Sequence, residues 1–425
     1  MSRKKMGFWS VGAVGVGGIV GGIFPVLGLA VQMACGGAPL AFLIAGTVAL
    51  ITAYAYAKLS VAHPCRGGTV TFLNQAFGSG FFSGVLNLLL WLSYVVMLSL
   101  YFSAFGSYGV SLFTESTQPF WQHLLTSAAI LGTTGLNLLS ANRLGKAQSV
   151  IVGFKLVILI LFIAMGLTHV DVNRLQPATW SPFPSIVAAA MVIFLAYEGF
   201  ELIANTAEDV VYPKYTLPRV YYSVMLFVIL LYVLVSIVTV GVLPLEQIVA
   251  ARDYALAEAA KPLMGHVGAM SISFAALLST TSAGNATLYG SARFSSIIAK
   301  SRGLDLGFNK NLINQSSIGL FITSGITLVI ANSFDLSRIS TMGSAGFLLI
   351  FAAVNLANAR LYRDTQSQQW ISLLGTGICL GALGLLMWQA LKTDPQTLWV
   401  LVVMVGIAIG LEVTYCLLTN RTLKL

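Results

Sequence analysis

The sequence alternates between long apolar runs and short polar connections. A transmembrane helix needs about 20 mostly apolar residues, and the alternation with period two that is typical of transmembrane β-strands is not dominant here. The pattern predicts an all-α polytopic membrane protein with twelve transmembrane helices. The predicted spans are 8–31, 37–62, 81–112, 121–140, 147–169, 185–208, 218–243, 265–299, 314–332, 336–360, 371–391 and 395–418.

Composition agrees with a lipid environment. The chain is 57% hydrophobic and 9% charged, whereas a soluble domain carries roughly 25% charged residues. Because a soluble fold needs a charged exterior, these values exclude a soluble enzyme, a disordered chain and a disulfide scaffold. The net charge of +9 is dispersed, so it predicts loops beside an anionic bilayer surface rather than nucleic-acid binding. The four cysteines are far apart and form no CxxC motif, so we expect no metal and no cofactor.

The basic residues favour one side of the membrane. If the N-terminus is cytoplasmic, the Lys and Arg residues on the opposite side are Arg174, Arg252, Lys261, Arg338 and Lys392. Cytoplasmic loops carry an excess of Lys and Arg. The bias predicts a multi-pass protein of the cell membrane, inner or plasma, with both termini in the cytoplasm.

The first span contains residues that weaken a helix. Five glycines lie between Gly15 and Gly22, and Pro25 follows. Glycine and proline free backbone groups, which lipid tolerates only where they line a cavity or a binding site. Close helix packing is the alternative, because Gly18 and Gly22 have GxxxG spacing. This span alone leaves both interpretations open.

The sixth span carries two carboxyl groups in mid-membrane, Glu198 and Glu201, with Gly199 between them. Ionisable residues at this depth are costly and are functional candidates by default. Spans 1 and 6 hold matching positions in two five-helix halves, and paired Gly-interrupted spans mark transporter sites. We therefore predict that spans 1 and 6 are discontinuous and that a substrate binds between them.

These spans resemble those of the amino acid-polyamine-organocation (APC) superfamily of transporters. The span-1 motif of that superfamily stands here as Ile19 to Phe24. Its span-6 motif and the residues after it stand here as Phe194, Tyr197, Gly199, Phe200, Glu201, Ala207, Glu208, Asp209, Pro213, Pro218 and Arg219. Further similar positions are Pro64, Gly67 and Gly68 after span 2 and 285–292 in span 8. The chain is most similar to the proton-coupled amino acid transporters of this superfamily.

The resemblance implies a LeuT-like fold in a single transmembrane domain, 1–425. Spans 1–5 (8–169) and spans 6–10 (185–360) would form a 5+5 inverted repeat, followed by spans 11 and 12 (371–418). Two positions depart from the superfamily. Val20 replaces a glycine of the span-1 motif, which would stiffen the break, and Lys58 stands where many members have an acid, so the cytoplasmic gate would pair differently.

The resemblance also implies where an amino acid binds. Its carboxylate would meet backbone N–H groups of the span-1 glycines, since no side chain obstructs their approach. Its ammonium would meet carbonyl oxygens at both breaks, and the aromatic residues of span 6 are equally consistent with pocket walls and with plain packing. The candidate substrate-binding residues are Gly18, Gly21, Gly22, Ile23, Phe194, Leu195, Tyr197 and Glu198.

Lys155 lies inside span 5, about eight residues or ~12 Å from the cytoplasmic start of the span. A lysine side chain that reaches about 6 Å would not snorkel easily from there. Removal from water disfavours the charged amine, which can then release a proton. In the transporters that the chain resembles, a lysine takes the place of a bound sodium ion. We therefore expect Lys155 to couple transport to a proton, without Na⁺, and Ser282 to contact its ammonium from a sodium-like site.

The span-6 carboxyls leave several roles open. Glu201 could relay a proton together with Lys155 or fix span 6 by hydrogen bonds. Glu198 could face the pocket and select a cationic group, or turn away and be protonated. Tyr94 and Tyr101 share a face of span 3 at helical spacing, and we expect that face to pack against lipid or core.

The sequence therefore predicts a secondary active transporter that imports amino acids by proton symport with alternating access. An exchanger of amino acid or amine is the alternative within the same fold. A membrane-embedded enzyme would need clustered polar or metal-binding residues at one depth, and a channel would need a filter-like loop; neither pattern is evident. The expected partners are a small amino acid and the lipid bilayer, with no nucleic acid. Neither the particular substrate nor the oligomeric state follows from the sequence.

Overall fold

The computed structural model describes residues 5–113, 119–139, 144–301 and 315–418. Within these ranges the regular structure is helical, and two isolated bridges join Met6 to Val210 and Cys35 to Trp180. Some charges that the orientation prediction uses lie outside the described residues: Arg3, Lys4, Glu115, Arg143, Arg302, Asp305, Lys310, Arg421 and Lys424.

The α-helices are α1 (Phe8–Ile19), α2 (Ile23–Ala34), α3 (Ala38–Ala62), α4 (Gly68–Phe77), α5 (Phe81–Ser111), α6 (Pro119–Leu139), α7 (Leu144–Gly166), α8 (Phe183–Val192), α9 (Pro213–Val242), α10 (Leu245–Ala251), α11 (Ala255–Ser301), α12 (Gln315–Ser333), α13 (Leu336–Arg360), α14 (Gln369–Thr393) and α15 (Pro395–Leu418). Two further segments have 3₁₀ geometry and matter for function, Val20–Gly22 and Ile193–Asp209.

Among the described residues, eight helical segments are long and apolar enough to cross a bilayer. They correspond to predicted spans 1, 2, 3, 6, 7, 8, 10 and 11. Three shorter apolar helices, Val150–Gly166, Ile318–Ser333 and Leu401–Leu417, fall in predicted spans 5, 9 and 12, and α6 covers most of span 4. The all-helical prediction is confirmed over the described residues, with several candidate spans, whereas the count of twelve and the inverted repeat stay predictions.

Both predicted breaks are places where α-helical geometry stops. In span 1, the 3₁₀ turn Val20–Gly22 separates α1 from α2, as expected from a pair of glycines that lack the side-chain packing of a regular helix. In span 6, α8 ends at Val192, and 17 residues of 3₁₀ helix follow, from Ile193 to Asp209. Runs of 3₁₀ helix longer than three or four residues are uncommon. The span-6 interruption is therefore much longer than the single position, Gly199, that the sequence indicates.

The two interrupted spans lie at the centre of the helix packing. The 3₁₀ segment Ile193–Asp209 contacts α1, α3, α9 and α13, and the long helix α5 contacts α6, α11, α12, α13 and α15. Lipid gives apolar helices little drive to associate, so small residues that allow close packing decide which helices meet. The consequence is a dense interior around the two breaks.

Backbone contacts connect distant segments of the chain at each end of the helix bundle. At one end, Met6 N donates to Asp209 O at 2.8 Å, and Val211 N donates to Met6 O at 2.9 Å. At the other end, the connection 244–264 contains α10, a short 3₁₀ turn at Arg252–Tyr254 and the start of α11. The backbone of Arg252 in this connection packs directly onto Gly28 of α2, where a side chain would overlap the Arg252 carbonyl.

Candidate functional site

The two helix breaks touch each other through glycine. A methyl group added at Gly199 would lie 2.5 Å from the backbone of Gly18, and one added at Gly22 would lie 2.6 Å from Cα of Ala196. Both distances are shorter than a side chain tolerates. The GxxxG spacing of Gly18 and Gly22 thus serves close packing against span 6, and the same absence of side chains leaves the backbone groups of both breaks within reach of each other.

Tyrosine hydroxyls bind the carbonyl groups that the breaks release. Tyr232 of α9 lies 2.6 Å from Ile19 O and 3.2 Å from Ala196 O. Tyr101 of α5 donates to Gly18 O at 3.3 Å. Buried carbonyl groups outside regular helices need such donors, so these two phenols satisfy the backbone of span 1 at the point where an amino acid is expected to bind.

Two serines of α13 hold the end of α8. Ser340 Oγ and Ser344 Oγ donate to Val192 O at 2.7 and 2.8 Å, and Leu195 N donates to Ser344 Oγ at 3.0 Å. The last carbonyl groups of a helix have no partner within it. These bonds therefore fix the place where α-helix changes to 3₁₀ helix in span 6.

Lys155 of α7 is buried, 1% exposed, and its ammonium faces oxygen atoms only. Nζ donates to Gly17 O at 3.0 Å and to Ser279 Oγ of α11 at 3.2 Å. No ion pair with an acid is found for Lys155 among the described residues. The hydroxyl that contacts the ammonium thus belongs to Ser279, one helical turn before the predicted Ser282, because Ser279 is the residue that α11 turns toward α1.

Glu201 connects the 3₁₀ segment to neighbouring helices by hydrogen bonds. Its Oε2 accepts hydrogen bonds from Tyr56 of α3 at 3.0 Å and from Thr69 of α4 at 3.1 Å. Its carboxyl also contacts the side chains of Tyr94 and Glu198. Glu198 and Glu201 are 2% and 1% exposed. These hydrogen bonds connect span 6 to α3 and α4 through Glu201.

The aromatic candidates of span 6 have partners of their own. Tyr197 donates to Phe42 O of α3 at 2.9 Å and its ring stacks at a tilt on Tyr232. Phe194 packs edge-on against Phe351 of α13. Both are fully buried. These contacts show packing against α3, α9 and α13, and a role of either ring as a pocket wall stays a prediction.

Charged residues pair at the ends of the bundle. Arg66 binds Glu208 at 3.3 Å and Asp209 at 2.9 Å, next to the Met6 bridge. Lys58, the position that departs from the superfamily, donates to Gln366 O at 3.0 Å. At the opposite end, Arg338 binds Asp394 at 2.7 Å. Both ion pairs are partly exposed, so each contributes little to stability by itself.

A polar cavity of about 560 Å³ opens beside the end of α2. Its lining includes Gln32, Val192, Arg338, Gln389 and Asp394. Val192 is the residue whose carbonyl the α13 serines bind, so the cavity reaches the wall of span 6. Across the described residues, no group of three or more His, Cys, Asp or Glu side chains is arranged to hold a metal ion.

Sequence reasoning placed the breaks, Lys155 and the two carboxyls but missed the polar residues that support them. Tyr94 and Tyr101 pack in the core, which is one of the two environments expected for them, and their hydroxyls face Glu201 and Gly18 there. Tyr232 and the α13 serines were not singled out. The sequence contains one signal that could have found Ser340 and Ser344: they are two serines four residues apart in an apolar span.

The chain is similar to a known protein family and to several individual proteins. The sequence model of a family described as amino acid permease matches residues 6–411. An uncharacterized protein of Methanocaldococcus jannaschii is 31% identical over 99% of this chain and 98% of its own length. The inner membrane transport protein YbaT of Escherichia coli is 33% identical, over 89% of this chain and 88% of its own. The branched-chain amino acid permease BcaP of Lactococcus lactis is 28% identical, over 83% and 80%.

Proposed function

Because the chain belongs to the amino acid permease family, we propose that it is a secondary active transporter that imports amino acids together with a proton. Sodium is not needed, and neither a metal nor another cofactor takes part. The first ten of twelve transmembrane helices form a LeuT-like 5+5 inverted repeat, and spans 11 and 12 follow it. The protein lies in the inner or plasma membrane of the cell, with both termini in the cytoplasm. Substrate reaches either side by alternating access around spans 1 and 6.

The environment of Lys155 is the observation that carries this proposal. Its ammonium lies among a backbone carbonyl of span 1 and a serine hydroxyl of α11. Oxygen ligands of this kind bind hard cations, so the lysine occupies a place suited to a small cation. A buried amine without an acidic partner is stable when neutral and gains from protonation only while its oxygen ligands are in place. Movement of span 1 away from Lys155 would therefore release the proton.

The glycine contacts support a substrate site at the two breaks. Gly21 and Gly22 of the 3₁₀ turn come directly before Ile23, where α2 begins, and the start of a helix presents N–H groups that favour a carboxylate. The carbonyl groups near Gly18 and Leu195, one at each break, would accept hydrogen bonds from an ammonium group. An α-amino acid carries a carboxylate and an ammonium, which is why we assign it as the substrate class.

Uptake into proteoliposomes tests the proposal. With an acidic exterior, no sodium and no substrate inside, we expect a labelled amino acid to accumulate, and we expect a proton ionophore to abolish the accumulation. An exchanger would take up label only when unlabelled substrate is present inside. Accumulation that requires sodium, or that ignores the pH gradient, would contradict proton symport.

Ligand-induced stabilisation identifies the substrate. A compound that binds the folded state raises its unfolding temperature. We expect purified protein to be stabilised by a subset of amino acids, and the same compounds to compete with labelled substrate for uptake. Stabilisation by amines that lack a carboxylate would instead favour the exchanger of amino acid or amine.

A further inference from the structure

Glu198 and Glu201 form a carboxyl pair in the protein interior. The two side chains are in hydrogen-bonding contact with each other. Neither forms an ion pair with Lys, Arg or His within the part of the chain that the structure describes. Hydroxyl donors reach Glu201 from Tyr56 and Thr69, whereas Oε2 of Glu198 meets no N–H or O–H group of the described residues. The pair is thus buried without a countercharge.

The 3₁₀ geometry of the backbone brings these two side chains together. With three residues per turn, positions i and i+3 eclipse each other, so Glu198 and Glu201 project from the same row of the segment Ile193–Asp209. Their contact is therefore a property of this backbone and not of side chains that happen to bend toward each other.

A contact between two carboxyl groups requires a proton. An ionised carboxylate can only accept hydrogen bonds, and a hydrogen bond between two carboxyls needs a hydrogen on one of them. Two buried carboxylates in contact cannot both ionise, because like charges raise the cost of the second ionisation. With one proton between them, the free oxygen of Glu198 gains its missing partner and the pair carries a single negative charge.

The titratable groups that face Glu198 and Glu201 bring no positive charge that could balance the negative charge of the pair. They are Tyr56 of α3, Tyr94 and Tyr101 of α5 and Tyr221 of α9. All four are phenols, which donate hydrogen bonds and bring no positive charge. The proton is thus the cation that the pair needs.

We propose that Glu198 and Glu201 hold one shared proton and exchange it in each transport cycle, as a second proton site beside Lys155. The exchange rests on the proposed function. Tyr56 and Thr69 stabilise the ionised form of Glu201, and they belong to α3 and α4 rather than to span 6. When the 3₁₀ segment moves relative to these helices, Glu201 loses its donors and the affinity of the pair for the proton changes.

Infrared spectroscopy on purified protein tests the shared proton without a transport assay. Glu412 is the third buried acid among the described residues, so the measurement uses Glu412→Gln to remove its signal. At neutral pH we expect the carbonyl band of one protonated carboxyl, shifted in heavy water, and its loss in the variant that adds Glu198→Gln and Glu201→Gln. A count of zero or of two protonated carboxyls would overturn the proposal.

Transport by Glu198→Gln tests the exchange. Glutamine keeps the net charge of the singly protonated pair and can donate its amide N–H to Glu201, so the substitution removes the exchangeable proton without adding a charge. With the membrane potential clamped at zero, the loss of one coupled proton lowers the attainable accumulation about tenfold for each unit of pH gradient. Glu412→Gln should accumulate as the parent does.

Failure of the proton exchange and failure of the proposed function give different experimental results. Accumulation by Glu198→Gln equal to that of the parent would overturn the exchange. If the parent shows no accumulation driven by a pH gradient, the proposed function fails, while the infrared count still decides whether the pair holds a proton. If Glu198→Gln does not fold, that count, made in the Glu412→Gln background, still decides it.

Discussion

Tyr232 Oη lies 2.6 Å from the carbonyl oxygen of Ile19, the last α-helical residue before the break in span 1. The same hydroxyl is 3.2 Å from Ala196 O in the 3₁₀ segment of span 6. One side chain of α9 therefore serves both interrupted spans, which couples any movement of one break to the other.

Tyr232→Phe removes this shared donor and leaves the ring contacts with Phe42 and Tyr197 in place. A buried acceptor that loses its donor costs about 1–3 kcal/mol, so we expect a lower unfolding temperature and slower uptake. Tyr215→Phe is the control, because Tyr215 is 69% exposed and should change neither. Equal stability of Tyr232→Phe and the parent would show that the bond is dispensable.

Lys155→Ala should lower the accumulation that a pH gradient drives, by about tenfold for each pH unit at zero membrane potential, because the amine no longer takes up its coupled proton. Exchange of internal for external substrate needs no net proton movement and should persist, measured as counterflow in proteoliposomes. A variant that concentrates substrate to the level of the parent under the same pH gradient would contradict the role of Lys155.

Ser279→Ala and Ser282→Ala form a matched pair for the same site. Ser279 contacts the Lys155 ammonium, whereas Ser282 lies three residues further along α11. We expect Ser279→Ala to shift the pH dependence of uptake toward acid, because the protonated amine loses a ligand and binds its proton less tightly. Ser282→Ala should leave the pH profile unchanged, and the reverse result would support the position that the sequence alone predicts.

Gly22→Ala should abolish uptake, because the added methyl group would lie 2.6 Å from the backbone of Ala196 and force the breaks apart. Gly22→Leu should do so with greater loss of stability. Gly12→Ala provides the comparison within the same span, since a side chain there meets no atom within 4 Å. Size-exclusion profiles would show whether each protein is folded, and full uptake by a folded Gly22→Ala protein would refute the close-contact argument.

Gly28→Ala should impair transport at the opposite end of the bundle. A side chain there would overlap the Arg252 carbonyl, so the connection that contains α10 must move away from α2. We expect faster proteolysis within 244–264 together with lower uptake. Gly410→Ala, where the surroundings are open, should show the proteolysis pattern of the parent.

The sequence was a good guide where a residue conflicts with lipid. A lysine in span 5 and two glutamates in span 6 are costly in a bilayer, and the glycines of span 1 weaken a helix; each proved to lie at a buried break or contact. Apolar length likewise located the helices, because backbone groups in lipid must be satisfied within the segment.

The supporting residues could not be predicted because they do not conflict with lipid. Tyr94, Tyr101 and Tyr232 do not stand out, because tyrosine is common in apolar spans. The spacing of tyrosines along a helix does not tell whether that face of the helix meets lipid or protein. The start of the 3₁₀ segment is held by Ser340 and Ser344, which are 148 and 152 residues away from Val192 in the chain and bind its carbonyl oxygen through their side chains. Such contacts arise from the tertiary fold and leave little trace in a single sequence.

The segment Ile193–Asp209 is longer as a 3₁₀ helix than it would be as an α-helix. A 3₁₀ helix rises about 2.0 Å per residue and an α-helix about 1.5 Å, so its 17 residues would become roughly 8 Å shorter on conversion to α-helix. That change would draw Asp209, and with it the main-chain bridge to Met6, toward α8. It would also rotate Glu198 and Glu201 out of their common row. The end of span 6 can therefore be displaced by a change of helical pitch alone, with α8 held in place by α13.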